Sequence, residues 1–201
     1  MLNIMCWNIN GIGDKIGFKD VQCIINSHDI VVFLETMKDS NYELNYPGYQ
    51  CFHFVGKDKV GNAKRPWGGI LIMLSNRCTK HIKVTREMDL IVWLTIEGAH
   101  KIGGNIHMGF IYMPQERSSH LDYTANYYEM MQDSVSKHSE TGQVILCGDF
   151  NARTGLLCDY VPCVDVEEFV SPNDILPDES VQMWIVSVQM WMLLLTRMVK
   201  I

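Results

Sequence analysis

Residues 144–151, Val-Ile-Leu-Cys-Gly-Asp-Phe-Asn, form an apolar run that ends abruptly on an acid and an amide. The apolar part, with its β-branched residues, predicts a buried strand. Gly148 would permit a tight turn, so that Asp149 and Asn151 emerge where the strand ends. Because residues two apart point the same way in an extended chain, both side chains should project together, with Phe150 directed into the core. Taken alone, the pattern equally predicts an Asx-type turn after an ordinary strand.

Other apolar runs of the chain also stop on polar or aromatic residues. The run at 30–34 is apolar throughout, which is typical of a strand covered on both faces, and Glu35 follows it directly. The run at 106–112 ends on Tyr112 and is closed by a proline, which cannot donate to a strand ladder. The predicted strand ends therefore present a set of candidate functional side chains: Asn8, Glu35, Tyr112, Asp149 and Asn151.

The remaining pattern predicts a mixed α/β architecture. Apolar residues at helical spacing predict a first helix over residues 18–25. A second helix should begin at Ser119 and bury a stripe of Leu121, Ala125, Tyr128, Met131 and Val135. Closely spaced strands at 49–55, 70–75, 81–85 and 91–96 indicate antiparallel pairs. Strands with helices outside them, in mixed order, predict an α/β sandwich.

Five short motifs occur in the order found in the endonuclease/exonuclease/phosphatase superfamily, the relatives of exonuclease III and deoxyribonuclease I. They are Trp-Asn-Ile-Asn-Gly at 7–11, Leu-Glu-Thr at 34–36, Gly-Gly-Ile at 68–70, Ile-Tyr-Met-Pro at 111–114 and Gly-Asp-Phe-Asn-Ala-Arg-Thr-Gly at 148–155. The chain most resembles the apurinic-type endonuclease domains of LINE-type retrotransposons and their craniofacial-development-protein-like relatives. This resemblance implies a four-layer α/β sandwich over residues 1–160, with two packed mixed sheets flanked by helices and without the last strands.

The resemblance also implies roles for individual residues in Mg²⁺-dependent hydrolysis of phosphodiester bonds, with Mn²⁺ as an alternative ion. Glu35 would be the principal metal ligand, with Asn8 beside it. Asp149 would orient or activate water, Asn151 would donate to a phosphate oxygen, and Tyr112 would donate to the phosphate or the attacking group. Mg²⁺ suits such a site because it binds one or two protein carboxylates and keeps several of its waters.

The resemblance breaks off after residue 155. The superfamily closes its site with an acid and a Ser-Asp-His element near the C-terminus, whereas all seven histidines of this chain precede residue 148. A positioned acid–base group contributes about 10²–10⁴-fold in rate. The chain, truncated relative to the family pattern, is therefore expected to be a weak or inactive endonuclease. The alternatives are a non-catalytic remnant or interaction module of the same fold, and a phosphatase of the same superfamily.

The net charge of −6 is unevenly distributed along the chain. Residues 57–86 carry eight Lys or Arg against one acid, whereas residues 140–180 carry nine acids against Arg153 alone. This asymmetry fits a metal site flanked by a surface that follows a phosphate backbone, although a solvated strand-and-loop face explains it equally well. With the resemblance, it makes DNA the expected partner. The candidate substrate-binding residues are Lys64, Arg65, Asn10 and Arg153.

Residues 161–201 differ from the rest of the chain. Residues 161–179 are acidic and contain prolines, which predicts a loop, and residues 181–195 repeat Val-Gln-Met-Trp without a charge. The second stretch is a helix docked on the core, a membrane span or the product of a frame disruption. We expect docking, because two glutamines and a borderline length argue against a span. Seven cysteines without a Cys-x-x-Cys pair and no signal-peptide pattern predict an intracellular protein of the nucleus or cytoplasm, not a secreted one.

If residues 57–86 follow a phosphate backbone, the DNA affinity of the chain should fall steeply as salt is added. Each neutralised phosphate should contribute about 0.9 log units of affinity per log unit of salt. Fluorescence anisotropy with a duplex oligonucleotide at several KCl concentrations measures this slope. Replacing Lys64 and Arg65 with Gln should reduce the slope, whereas Lys137→Gln, outside the stretch, should not. A flat salt dependence would assign these cations to a solvated face.

Overall fold

The computed structural model describes residues 2–56, 66–88, 91–99, 104–113 and 124–151. Its elements, in chain order, are β1 (Ile4–Asn8), a 3₁₀ turn (Lys15–Gly17), α1 (Lys19–Asn26), β2 (Ile30–Leu34), β3 (Tyr49–Phe54), β4 (Ile70–Ser75), a second 3₁₀ turn (Thr79–His81), β5 (Ile82–Met88), β6 (Ile91–Ile96), β7 (Asn105–Tyr112), α2 (Thr124–Ser139) and β8 (Gly142–Asp149). Each predicted strand and the first helix are present, with ends that differ by up to three residues. The predicted start of the second helix at Ser119 lies outside the described residues.

Two mixed four-stranded sheets form the centre of the described part of the chain. The first has the strand order β1-β2-β4-β3, and the second has the order β5-β6-β7-β8. In the first sheet β1 and β2 are parallel, while β4 runs antiparallel to both of its neighbours. In the second sheet β7 and β8 are parallel, and β6 runs antiparallel to β5 and β7. Each parallel pair is connected through a helix, as parallel pairing requires.

The two sheets pack face to face, and each carries a helix on its outer face. Side chains such as Val32 and Ile72 of the first sheet meet Leu94 and Phe110 of the second in one buried layer. The alternate side chains of β2 and β4 pack against α1, and those of β6 and β8 pack against α2. Because β2 and β4 are buried on both faces, their sequences are apolar almost throughout. This arrangement confirms the four-layer α/β sandwich predicted from the sequence.

The strand directions bring the five sequence motifs to one end of the sandwich. Across the interface between the sheets, β1 lies against β8 and β2 lies against β7. All four of these strands end at the same side. Each sheet contributes a parallel pair, and the last residues of β1 and β8, Asn8 and Asp149, are in contact. The segment 67–69 reaches this side as well, because it precedes β4, whose first residue Ile70 pairs with Leu34. Ligand sites of α/β sheets form at the carboxyl ends of strands in the same way.

The buried face of α2 differs from the predicted stripe. Tyr128 is 45% exposed, whereas Ser134 and His138 are buried. The Ser134 hydroxyl donates to Glu87 Oε2 (2.6 Å) and accepts from the indole N–H of Trp93 (2.9 Å). Met131 and Val135 of the predicted stripe pack against the second sheet, and Ser134 and His138 share that face with them. An apolar pattern could not predict these two residues, because it assigns polar side chains to solvent.

Gly148 lies inside β8, so the predicted tight turn at this residue is wrong. A Cβ built on Gly148 would stand 1.9 Å from the carbonyl oxygen of Ile111 in the neighbouring strand. The glycine is therefore required by the close approach of β7. The chain turns three residues later at Asn151, whose φ is +44°.

The C-terminal segment lies outside the described residues, and with it the expected docking of residues 181–195. Within the described residues, no helix is both long and apolar enough to cross a membrane.

Replacing Gly148 with Ala should lower the free energy of unfolding by about 1–3 kcal/mol or more, because a methyl group must displace the β7 backbone. Urea denaturation followed by circular dichroism measures this loss. Gly17→Ala is the matched control, since a Cβ at Gly17 meets no atom within 4 Å. Equal stability of the two variants would show that β7 and β8 are further apart than described.

Candidate functional site

A hydrogen bond joins the two sheets at the end where the motifs meet. The amide nitrogen of Asn8, the last residue of β1, donates to Oδ2 of Asp149, the last residue of β8, over 2.9 Å. The two residues are 141 positions apart in the sequence. The other carboxylate oxygen of Asp149 accepts the backbone N–H of Asn151 over 3.0 Å. Asp149 is therefore fixed at both oxygens, by the opposite sheet and by an Asx-type turn of its own chain.

A second contact at this end joins Glu35 to Tyr112. The Tyr112 side chain is buried, and its phenol lies close enough to Glu35 for the two groups to interact. Burial, the proximity of Glu35 and the negative charges of Glu35 and Asp149 raise the pKa of Tyr112 well above its usual value. The phenol therefore stays neutral and remains a hydrogen-bond donor throughout the physiological range. The Trp67 ring lies 5.2 Å from the Tyr112 ring and covers it on one side.

Backbone strain is concentrated at the same end. Within the described residues, the non-glycine residues with positive φ are Asn10, Glu35, Met37 and Asn151. Asparagine tolerates this left-handed conformation, but for glutamate it costs on the order of 1–3 kcal/mol. Such strain persists only where surrounding contacts hold it, and it clusters at functional sites. All of them except Met37 are candidate site residues predicted from the sequence.

The two remaining asparagines of the candidate set are anchored by backbone groups. The side-chain amide of Asn151 donates to the carbonyl of Met113 over 2.7 Å, and its second N–H has no acceptor among the described residues. The backbone N–H of Asn10 donates to Oδ1 of Asn8 over 3.1 Å, while its own side chain is exposed. Lys64, Arg65 and Arg153 lie outside the described residues.

Two cysteines lie directly beneath the bond between Asn8 and Asp149. Cys6 and Cys147 each precede a member of that pair by two residues, so they point into the same inter-sheet layer. Both are buried, and the neighbouring Cys147 thiol together with burial raises the pKa of Cys6, which stays a neutral thiol. They behave as small core residues, as the sequence predicts.

Several residues that shape the site are not evident from the sequence. Thr36 is completely buried, and its hydroxyl makes a 3.0 Å hydrogen bond with Nε2 of His53. Met113 contributes only a carbonyl group to Asn151. The sequence contains only weak signals for these residues: Thr36 follows an acid, and His53 is a single histidine in an aromatic strand. Neither distinguishes a site residue from ordinary packing.

The described cations of the basic stretch lie at the surface, and Arg77 lies at the end of the first sheet opposite to the site, because its partner Asp29 directly precedes β2. Arg77 forms an ion pair with Asp29 over 2.8 Å, and Arg86 donates to the carbonyl of Val55 over 2.7 Å. Both side chains are exposed, so these contacts leave their charge in water. Lys80 and Lys83 are also exposed.

The oxygen donors of the site suit a hard cation. Glu35 and Asp149 supply carboxylates, and Oδ1 of Asn8 keeps a second lone pair besides the one used by Asn10. Mg²⁺ uses one or two carboxylates and retains several waters, so this donor set is sufficient. A structural zinc site would need a closer set of protein ligands. The described residues contain no group of three or more His, Cys, Asp or Glu that could form one.

Solved structures with the same fold are similar to this chain at low sequence identity. They include the 3′ phosphatase NExo from Neisseria bound to product DNA hairpin (16% identity, TM-score 0.52), the APE2 catalytic domain from Xenopus laevis (17%, 0.58) and an AP endonuclease from Archaeoglobus fulgidus (17%, 0.52). The matches cover 76%, 82% and 84% of this chain, which spans 59%, 63% and 63% of the other chains. No protein-family model and no curated protein matches the sequence.

These structures confirm the fold that the resemblance predicts. The chain spans less than two thirds of each of the three. The nearer likeness to LINE-type endonuclease domains stays a prediction from the motifs.

A double-mutant cycle should detect the bond that joins the two sheets. Asn8→Ala, Asp149→Ala and the double variant should give a coupling energy of about 1.5–3 kcal/mol, because the acceptor is charged. Urea denaturation of the four proteins measures this energy. The control cycle pairs Asp149 with Lys137 on α2 and should give a coupling near zero. A near-zero value for Asn8 and Asp149 would contradict the described contact.

Proposed function

We propose that this chain carries a phosphodiester hydrolase site that acts on DNA with a bound divalent cation. The observation that carries the proposal is the meeting of two contacts, Asn8 with Asp149 and Tyr112 with Glu35, where both sheets end. Together they place two carboxylates, a neutral phenol and two amides at one end of the fold. This is the set of groups that phosphoryl chemistry requires: a water-orienting base, donors to phosphate oxygens and a cation ligand.

The cation is Mg²⁺ in this proposal, or Mn²⁺, and Glu35 is its principal protein ligand, with Asn8 near it. A bound divalent cation stabilises the charge that develops on the phosphate oxygens. The strained backbone of Glu35 supports this role, because a carboxylate held in a costly conformation is preorganised for a ligand.

The other side chains act on water and on the phosphate. Asp149, fixed by Asn8 and the Asn151 backbone, keeps a free lone pair on each oxygen and would accept a proton from the attacking water. Tyr112 stays protonated and would donate to a phosphate oxygen or the attacking group. The free N–H of the Asn151 amide would donate to a second phosphate oxygen.

DNA as the substrate is supported by the similar structures and by the charge pattern. NExo is bound to a product DNA hairpin, and the other two are an APE2 catalytic domain and an AP endonuclease. Within the basic stretch 57–86, Lys64 and Arg65 would contact the phosphate backbone, whereas Arg77 lies at the opposite end of the first sheet. By its motifs the chain resembles apurinic-type endonuclease domains of retrotransposons, and its cysteine pattern supports the proposal that it acts in the nucleus or cytoplasm.

A second candidate is a non-catalytic module that keeps the fold and binds DNA. The observation in its favour is that residues 139–201 contain no histidine, whereas the superfamily pattern places a catalytic histidine after the Gly-Asp-x-Asn strand. A site that works without such a group would be slower by about 10²–10⁴-fold. The two candidates share cation and DNA binding and differ only in turnover.

Nicking of supercoiled plasmid separates these candidates, with cation binding measured on the same protein. Wild-type chain should bind Mn²⁺, seen as loss of the free-ion signal in electron paramagnetic resonance, and Glu35→Gln should weaken this binding at least tenfold. Slow nicking that needs Mg²⁺ and disappears in Glu35→Gln and Asp149→Asn would support the hydrolase. Cation and DNA binding without nicking would support the module. A wild-type chain that binds no divalent cation would overturn the proposal.

A further inference from the structure

The left-handed conformation of Glu35 is held by backbone contacts on two sides. Its carbonyl oxygen accepts the N–H of Gly11 over 2.7 Å, which ties it to the loop after β1. The next residue, Thr36, donates its N–H to Gly69 over 3.2 Å and accepts from Ile12 over 3.0 Å. These bonds guide the course of the chain around Glu35 without holding the Thr36 side chain. They do not by themselves explain why Thr36 carries a hydroxyl group at a completely buried position.

The Thr36 hydroxyl lies in a space next to Gly69 and makes a hydrogen bond with His53. Its oxygen lies 3.0 Å from Nε2 of His53 on β3. A Cβ built on Gly69 would stand only 2.3 Å from the same oxygen, and the φ of Gly69 is +91°. Glycine at residue 69 therefore both permits the turn before β4 and leaves room for the hydroxyl.

His53 is oriented by its own surroundings. It lies one residue before the end of β3, where it pairs with Leu71, and the Tyr42 ring packs against it edge-on at 5.2 Å. Desolvation is the largest influence on His53 and lowers its pKa; Asp39 opposes this, while Arg86 and Lys38 add to it. The imidazole is therefore neutral near pH 7 and joins Thr36 through a single hydrogen bond.

We propose that Thr36 and His53 are positioning residues that hold the Glu35 carboxylate in place for the cation, which deepens the proposed function and rests on it. The hydrogen bond between their side chains fixes the peptide that follows Glu35. With that peptide fixed, Glu35 keeps its strained backbone and its carboxylate faces the Tyr112 hydroxyl. Neither residue touches the cation or the phosphate in this proposal.

Removing the hydrogen bond while keeping the shape should release the strain. Thr36→Val replaces the hydroxyl with a methyl group of similar volume, so the chain around Glu35 relaxes toward an unstrained φ and the carboxylate shifts. Hydrogen-bonded partners of metal ligands typically contribute about 10–100-fold to affinity. We therefore expect at least a tenfold weaker Mn²⁺ affinity for Thr36→Val and for His53→Leu. The double variant should be no weaker than Thr36→Val alone, because both changes remove the same bond.

A matched control exists at another place in the fold. Thr95 makes a hydrogen bond of 2.9 Å with His107, which pairs two adjacent strands of the second sheet and touches none of the candidate site residues. Thr95→Val removes the same kind of bond and should lower the melting temperature by an amount similar to Thr36→Val. It should leave the Mn²⁺ affinity unchanged. His53→Gln, which keeps an amide near the position of Nε2, should retain most of the affinity that His53→Leu loses.

The test is a Mn²⁺ titration by electron paramagnetic resonance on the full chain, so it does not depend on turnover. The inference is overturned if Thr36→Val and His53→Leu bind Mn²⁺ as tightly as wild type while Glu35→Gln does not; the proposed function would then still stand. It is also overturned if Thr95→Val weakens binding as much as Thr36→Val, since the effect would then be general destabilisation. Equal binding by wild type and Glu35→Gln would instead reject the proposed function, and this inference with it.

Discussion

The hydrogen bond between Asn8 and Asp149 is the constraint on which the site depends. It can form only if two separate sheets end at the same level and approach closely at that end. The small side chains of Cys6 and Cys147 beneath it permit this approach, and the parallel pairs β1–β2 and β7–β8 deliver the strand ends together. Replacing either cysteine with a larger residue would separate the sheets where the polar groups must meet.

Glycines and a strained residue occur around the site where segments of the chain approach each other closely. Gly148 lets β8 approach β7, and Gly69 leaves room for the Thr36 hydroxyl. Glu35 has the costly positive φ, and backbone bonds from the β1 loop and the segment before β4 hold it. Part of the stability of the two sheets is thus used to maintain a carboxylate in a conformation that the isolated chain would avoid.

Electrostatics at the site depends on burial more than on net charge. The whole chain carries a net charge of −6, yet the effect on Tyr112 is local: burial first, and then the nearby Glu35 and Asp149 carboxylates, raise the pKa of its phenol. Two acids at one end of the fold repel each other, and a bound cation would relieve this repulsion.

The sequence alone determined the strands, the four-layer class and the set of polar residues at strand ends, because alternation and apolar runs record which faces are buried. It could not determine that Gly148 continues a strand, that Tyr128 is exposed, or that His53 reaches Thr36. Each of these depends on which strand or helix lies opposite, and pairings between distant segments are set only when the sheets pack. The tertiary structure also decided that Asn8 contacts Asp149, since no local pattern records a distance across two sheets.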